Sequence, residues 1–411
     1  MKKRFLHKIL LPKNRKYIYP LLDRGLKKDD LNQGINVLKS GMITMGKKTS
    51  FFEKIFAKKL KVKYALMTNS GSSANLLAAF ASCNPLRKIR FKSGDNAIIQ
   101  TLCWPTSLWP LVQTGLKINF VDVNPETLNV NADEVLKKVN KKTKVIMIIN
   151  VLGQSTQIDK IRSFCKKKKI ILIEDNCESL GAKYNNKYLG TFGDFGTFSF
   201  FYSHQITSGE GGMIVCNDKT DYEILKSLRS HGWSRELKYS KKYPNLDPRY
   251  IFINSGFNLR PTDIQAAIGI SQFKKLETFK KIRINNRRKI INYIKKHKKW
   301  DNQFMFIEVP KKMKPSYMVF PILLSDKYKK FKVPFINHIE SLGLETRPII
   351  SGSFTNQPSS KLYKLNSSKK KYIGAEKVQK NGFVIGLHTQ KITSDQIKFL
   401  ANSLFSINNF K

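Results

Sequence analysis

The segment FSFFYSHQITSGEGG, residues 198–212, holds one side chain able to move a proton near neutral pH, His204. An unperturbed imidazole titrates near 6.5, so it can act as a base and, once protonated, as an acid. Three other short segments carry chemistry of other kinds. NSGSSAN (69–75) gathers Gly71, Ser72 and Ser73. Such small residues let the backbone approach an anion, and their N–H groups with the positive end of a following helix can hold a phosphate. A plain serine helix cap explains the same residues equally well. IEDNCESLGA (173–182) ends an apolar run in Glu174 and Asp175, with Glu178 just beyond. A carboxylate buried at a strand end needs a cationic or N–H partner; a solvent-facing acidic turn is the alternative. CWPTS (103–107) offers Trp104, which can stack on a flat ring or simply pack in a core ahead of a proline turn.

Each of these turns follows a run that reads as a strand. YALMT leads into NSGSSAN, NAIIQT into CWPTS, IILIED into NCES, and FGTFSF into YSHQ. LKINFVDVN and KVIMIINVLG read as further strands, and GGMIVCN follows the histidine segment. Helical spacing marks FFEKIFAKKL at 51–60 and a long stretch starting near Thr262. Strands alternating with helices, several wholly apolar, predict a mostly parallel sheet covered on both faces. Ligands then sit at the carboxyl ends of the strands, where the four turns would converge. From about residue 300 the pattern changes, with KPSYMVFPILL opening a second set of strands. The expected division is an N-terminal helical segment (1–45), a large domain (46–285) and a small C-terminal α/β domain (286–411).

Composition narrows the classes. With 41% hydrophobic and 11% aromatic residues, the 411-residue chain can bury more than one small core. The formal charge of +46 comes from lysines spread along the chain in short runs such as 166–169 and 369–371. No zinc-finger spacing or aromatic RNA-binding motif accompanies them, so they read as solvated faces that would also attract an anionic substrate. Nucleic acid is not expected as a partner. The five cysteines, Cys83, Cys103, Cys165, Cys177 and Cys216, form no CxxC pair, which predicts neither a disulfide framework nor a metal site. MKKRFLHKILLPKNRK lacks the apolar stretch of a signal peptide, and no run is long enough to cross a bilayer. A cytoplasmic protein without membrane insertion is expected.

The order of these motifs resembles the sugar aminotransferase family of fold-type I pyridoxal-phosphate enzymes, the DegT/DnrJ/EryC1/StrS group. The resemblance runs from about residue 30 to the end. It rests on NSGSSANLL, FVDVNPETLNVN, IEDNCESLGA, GTFGDFGTFSF, SGEGGMIV and GFNLRPTDIQAAIG (256–269). It implies the fold-type I architecture, a large domain with a mostly parallel sheet sandwiched by helices plus a smaller α/β domain. It also implies pyridoxal or pyridoxamine 5'-phosphate as cofactor. Gly71, Ser72, Ser73 and Ser199 would hold the cofactor phosphate, and Asp175 the pyridine nitrogen. Trp104 would stack on the ring, and Glu178 stands where ordinary members carry glutamine. Asn258 would reach the neighbouring subunit's cofactor in a homodimer.

In the aminotransferases the residue at the His204 position is a lysine, which anchors the cofactor covalently and shuttles protons. Histidine can keep the second job and not the first. No lysine occurs between residues 188 and 218 that would replace it. The chain therefore resembles the histidine-bearing 3-dehydratase branch, as do HGWSRE (231–236), ETRPIISGSFTNQP (345–358) and IGLHT (385–389). That branch implies dehydration of a nucleotide-linked 4-keto-6-deoxy sugar to a 3-deoxy sugar for lipopolysaccharide O-antigen, with L-glutamate as amino donor. Arg260, Arg347 and His388 are the expected substrate contacts. Ser353 and Asn356 depart from the branch, which usually has asparagine and a basic residue there. A histidine-bearing sister branch holds an iron–sulfur cluster through four clustered cysteines. Between 178 and 270 this chain has only Cys216, which points to the cluster-free branch.

Overall fold

The computed structural model describes residues 17–23, 25–235, 242–365 and 371–410. The basic leader 1–16, Glu236 and Lys369–Lys370 lie outside the described residues. In chain order the first strands are β1 (Tyr64–Thr68), β2 (Asn96–Gln100), β3 (Lys117–Val121), β4 (Thr143–Ile149) and β5 (Ile171–Asp175). A short hairpin follows, β6 (Lys183–Tyr184) and β7 (Lys187–Tyr188), and then β8 (Phe195–Ser199) and β9 (Gly212–Cys216). All but the hairpin join one seven-stranded sheet in the order β1-β9-β8-β5-β4-β2-β3.

Pairing is parallel from β3 through β8. Only β9 runs against its neighbours, β8 and β1. The reason lies in the connection. A parallel return needs a long crossover, usually a helix. Residues 200–211, which carry His204, contain no helix, so the chain turns back on itself.

Helices cover the sheet: α1 (Lys28–Lys39), α2 (Lys47–Leu60), α3 (Gly71–Ser82), α4 (Pro105–Gln113), α5 (Ala132–Lys137), α6 (Ile158–Lys168) and α7 (Lys219–Arg229). They end at α8 (Asp263–Lys296), 34 residues long and opened by a Thr262–Gln265 capping box. The first half of α8 buries Phe273, Leu276 and Phe279 against Phe52, Phe56, Phe198 and Phe200. Its second half buries Ile290 and Ile294 in a different core, that of the small sheet. One helix is thus a beam shared by both parts of the molecule.

The small sheet contains β10 (Phe304–Phe306), β12 (Val319–Leu324), β13 (Thr346–Arg347) and β14 (Gly382–Gly386), in the order β10-β12-β14-β13, all antiparallel. Between them β11 (Met313–Lys314) pairs with β6 and so stitches this region to the large one. The described start of the chain also belongs here. Tyr19 is buried in the small-sheet core and its N–H bonds Gly343 O at 3.0 Å, whereas α1 packs on α8. Among the described residues, no helix is long and apolar enough to cross a membrane, no three metal-ligating side chains cluster, and all five cysteines are free.

A carboxylate within GFNLRPTDIQAAIG, to which the sequence assigned no role, fastens α2 to α8. Asp263, buried at the first position of α8, accepts from the N–H groups of Gly46, Lys48 and Thr49 and from Thr49 Oγ1, at 2.7–2.9 Å. These are the donors that a helix start leaves unpaired. Asp263→Ala should cost about 2 kcal/mol, as buried donors lose their acceptor. Urea titration measures it, and an unchanged midpoint would contradict the assigned role.

Candidate active site

Strand alternation sorts the side chains of β8. Phe198 and Phe200 point into the aromatic core under the sheet, where Phe198 lies 5.1 Å from Phe56. Thr197 and Ser199 face the other way, toward the start of α3. There Thr197 Oγ1 donates to Asn75 Oδ1 at 2.5 Å. A methyl group on Gly71 would lie 2.5 Å from Ser199 Cβ and 3.0 Å from both Ser199 Oγ and Cys177 Sγ, so only glycine leaves this space open. Ser70 caps α3, its Oγ accepting from Ser73 N at 3.1 Å. Among the described residues no acceptor meets the Gly71 and Ser72 N–H groups. Together with Ser199 they line a cradle at a helix start, a place that could hold an anion. The hydroxyls of Ser72 and Ser73 turn elsewhere, to Thr106 Oγ1 at 2.9 Å and Asn69 Oδ1 at 2.6 Å.

The same alternation separates the two carboxylates of β5. Glu174 points away from the cradle and accepts from the N–H groups of Gly190, Phe192 and Gly193 at 2.5–2.9 Å. It holds the loop before β8 and takes no part in the site. Asp175 points toward the cradle. Its Oδ2 accepts from Asn75 Nδ2 at 2.8 Å and Ser107 Oγ at 2.7 Å, and its Oδ1 from Cys177 N at 3.0 Å. Glu178, the residue after Cys177, accepts from Leu152 N at 3.1 Å. Burial, followed by the charge of Asp175, lifts its carboxyl to about 7. Trp104 caps α4 at the end of the β2 connection and is 56% exposed, open for stacking.

His204 sits in a turn closed by its own N–H to Phe201 O at 3.1 Å. Its ring meets Phe201 edge-on at 5.9 Å, and its Nδ1 is sealed in the protein without a partner. Burial, followed by the charge of Arg283, lowers its pKa to about 4. The imidazole is therefore neutral at neutral pH, the form that can accept a proton, although the lowered pKa makes it a weaker base than a free imidazole. Gln205 pins the turn: its Nε2 donates to Ser316 O at 3.0 Å and to Glu178 O.

The four remaining expected contacts have other partners within the single chain. Asn258 is exposed and accepts from Arg260 Nε at 3.1 Å, and Arg260 in turn reaches His231 Nε2 at 3.3 Å. Arg347 is exposed on β13 and pairs with Glu345 at 2.7 Å. His388 stacks on Tyr19 at 4.3 Å and meets Pro20 O at 2.8 Å, so its ring fastens the N-terminal segment to the small sheet. No hydrogen bond or ion pair joins these four side chains to His204, Asp175 or Ser199. Conversely, Asn75 and Ser107 stand inside the quoted motifs, yet their roles as donors to Asp175 were not singled out. A small polar residue one turn into each helix after a strand was the available signal.

The two shifted groups make opposite demands on pH. An unfolded histidine titrates near 6.5 and the folded one near 4, so between these values the unfolded chain binds more protons and acid destabilises the fold. For Glu178 the folded value of about 7 exceeds the ordinary 4.5, so stability falls as pH rises through that interval. In spectra of 13C-ε1-histidine protein, the signal missing from His204→Gln should titrate near pH 4. A midpoint near 6.5 would contradict the buried setting.

The sequence profile of the DegT/DnrJ/EryC1/StrS aminotransferase family matches residues 25–405. The chain is 36% identical over 375 residues to GDP-4-keto-6-deoxy-D-mannose 3-dehydratase of Escherichia coli O55:H7 (strain CB9615 / EPEC), covering 90% of this chain and 95% of that one. A solved structure of the E. coli GDP-4-keto-6-deoxy-D-mannose-3-dehydratase with bound hydrated PLP superposes with a TM-score of 0.86 at 34% identity, covering 95% and 100% of the two chains. Another, of GDP-4-keto-6-deoxymannose-3-dehydratase with a trapped PLP-glutamate geminal diamine, gives 0.83 at 34% identity and covers 94% and 100%. The fold, the motifs and their order agree: the chain belongs to the DegT/DnrJ/EryC1/StrS aminotransferase family.

Proposed function

We propose that this protein is a pyridoxamine/pyridoxal 5'-phosphate-dependent 3-dehydratase of a nucleotide-linked 4-keto-6-deoxy sugar, with GDP as the nucleotide and L-glutamate as amino donor. The single observation that carries the reading is His204, a neutral imidazole in the position where the family's aminotransferases place a lysine. Similarity to the E. coli dehydratase supports the sugar class and a place in lipopolysaccharide biosynthesis, and the PLP-glutamate structure supports the amino donor.

The residues present fit the cofactor. The cradle that a Cβ on Gly71 would fill, with the free N–H groups of Gly71 and Ser72 and the Ser199 hydroxyl, suits its phosphate. Asp175 already has three donors on its oxygens and is placed for a protonated ring nitrogen. Trp104 would lie against the ring, with Glu178 beside it. When bound, the cofactor supplies an amine for the sugar's ketone and a conjugated ring that accepts an electron pair. His204 does the rest by moving one proton. Neutral at rest, its Nε2, the ring nitrogen not sealed in the protein, would take the proton given up by the carbon that bears the cofactor's amine, and would deliver that proton to the 3-hydroxyl as its C–O bond breaks and it departs as water. Without a lysine at this position the cofactor is held by these contacts alone.

The reading includes a homodimer in which Asn258 meets the partner's cofactor; its exposure, and the exposed apolar row Leu31, Ile35 and Leu38 on α1, support it. A cytoplasmic site fits the five unpaired cysteines.

The decisive experiment supplies pyridoxamine phosphate, glutamate and GDP-4-keto-6-deoxymannose, and follows the sugar by mass spectrometry. Loss of one oxygen atom with no change in hydrogen count is expected, because the 3-hydroxyl leaves as water, the amine leaves as ammonia on hydrolysis, and glutamate ends as its keto acid. A 4-amino sugar with no water lost would make the protein an aminotransferase. His204→Lys should slow dehydration about 10²–10⁴-fold, the usual worth of a positioned acid–base group. Asp175→Asn should weaken cofactor binding about 10²-fold, as a buried pair loses one charge. Equilibrium dialysis reads the second effect, and wild-type affinity would refute the assignment of Asp175. Borohydride treatment of the loaded wild-type protein should leave no cofactor on any lysine.

A further inference from the structure

The histidine turn is held from behind by a residue that neither the motifs nor the family resemblance single out. Arg283 lies on α8, between Phe279 in the aromatic core of the large domain and Ile290 in the core of the small sheet. It is 5% exposed. Its Nη1 donates to Gln205 O at 3.0 Å, and its Nε donates to Leu387 O at 3.0 Å, just past the end of β14. One guanidinium thus ties the residue after His204 to the small domain. Asn286, one turn along the same helix, continues the seam with bonds to His388 O, Gln390 O and Ile392 N at 2.7–3.3 Å.

A buried cation is costly, and its burial lowers Arg283 to about 10, which still leaves it charged at neutral pH. The charge that faces it is Asp23, from the N-terminal segment, whose carboxylate is held by Thr389 N and Oγ1 at 2.6–2.7 Å. On the other side its field reaches His204. Other titratable groups of the site are Asp175 at the end of β5, Cys177 just after it, and Glu178, whose carboxyl is pushed up by burial and then by the charge of Asp175.

We infer that Arg283 is a positioning residue for the proposed reaction: its fork clamps the turn carrying His204 to the small domain and sets a fixed positive charge behind the imidazole. The two functions follow from one side chain. The hydrogen bonds fix where the ring stands relative to the small domain, and the charge opposes protonation before substrate is bound. A lysine would keep the charge and lose the two-pronged grip, since an ammonium is a point donor on a flexible stem.

The inference rests on His204 as the proton-moving group, and its test separates the two claims. In 13C-ε1-histidine spectra Arg283→Gln should raise the His204 titration midpoint by about one unit, since a nearby like charge is removed while burial remains. This readout needs neither cofactor nor turnover. The acid limb of kcat/KM should move up by the same amount. Arg283→Lys should leave the midpoint within about half a unit of wild type and lower kcat about tenfold, with cofactor affinity unchanged. An unmoved midpoint in Arg283→Gln would overturn the electrostatic half. Wild-type kcat in Arg283→Lys would overturn the clamp. If Arg283→Gln fails to fold, the lysine variant decides alone: a midpoint shifted by a full unit despite the retained charge overturns the inference. If the midpoints behave as expected but His204→Gln dehydrates like wild type, the proposed function fails and the electrostatic coupling stands.

Discussion

The site is organised around a carboxylate that must be satisfied where water is scarce. Asp175 is 4% exposed and ends a strand whose preceding residues are all buried. Leaving it unpaired there would cost several kcal/mol. The fold meets it with Asn75 from α3, Ser107 from α4 and the Cys177 N–H from its own turn. Those three bonds also fix the relative positions of the strand and two helix starts. The anion cradle opens α3, and Trp104 caps α4. One buried charge therefore sets the spacing of the three surfaces that the proposed cofactor would touch.

The second constraint acts on the histidine turn. No hydrogen bond to the His204 ring nitrogens secures it; the peptide groups and neighbours do. Gln205 bonds across to Glu178 O and Ser316 O, Arg283 bonds Gln205 O, and Phe198 and Phe200 anchor β8 from below. A ring fixed through its backbone can keep a depressed pKa, because nothing nearby stabilises its cationic form. Glu178 is pushed the other way by the same burial. The same burial thus keeps the imidazole uncharged and the carboxyl only partly ionised near pH 7.

The long helix α8 makes these local arrangements depend on the whole molecule. It lies in both cores, supplies through Asp263 the acceptor that caps α2, and carries Arg283 and Asn286 between those cores.

The sequence alone determined the strand–helix alternation, the parallel sheet and the turns at its carboxyl edge. Those properties follow from apolar periodicity and from small residues, which act locally. It also singled out His204, Asp175 and Gly71 by residue type within single motifs, and Ser199 only through the family resemblance. What it could not supply is any property that depends on distant neighbours. Whether Glu174 or Asp175 faces the site depends on which side of β5 meets α3. The lowered pKa of His204 depends on burial and on Arg283, 79 positions further on by number, which no local motif joins to it. His388 reads as a site residue in its motif, yet Tyr19 and Pro20, more than 360 residues earlier in the chain, occupy its ring. The antiparallel return of β9 belongs to the first class, since it needed only the missing helix between 200 and 211. Local chemistry is written residue by residue, whereas desolvation and long-range pairing exist only once the chain has folded.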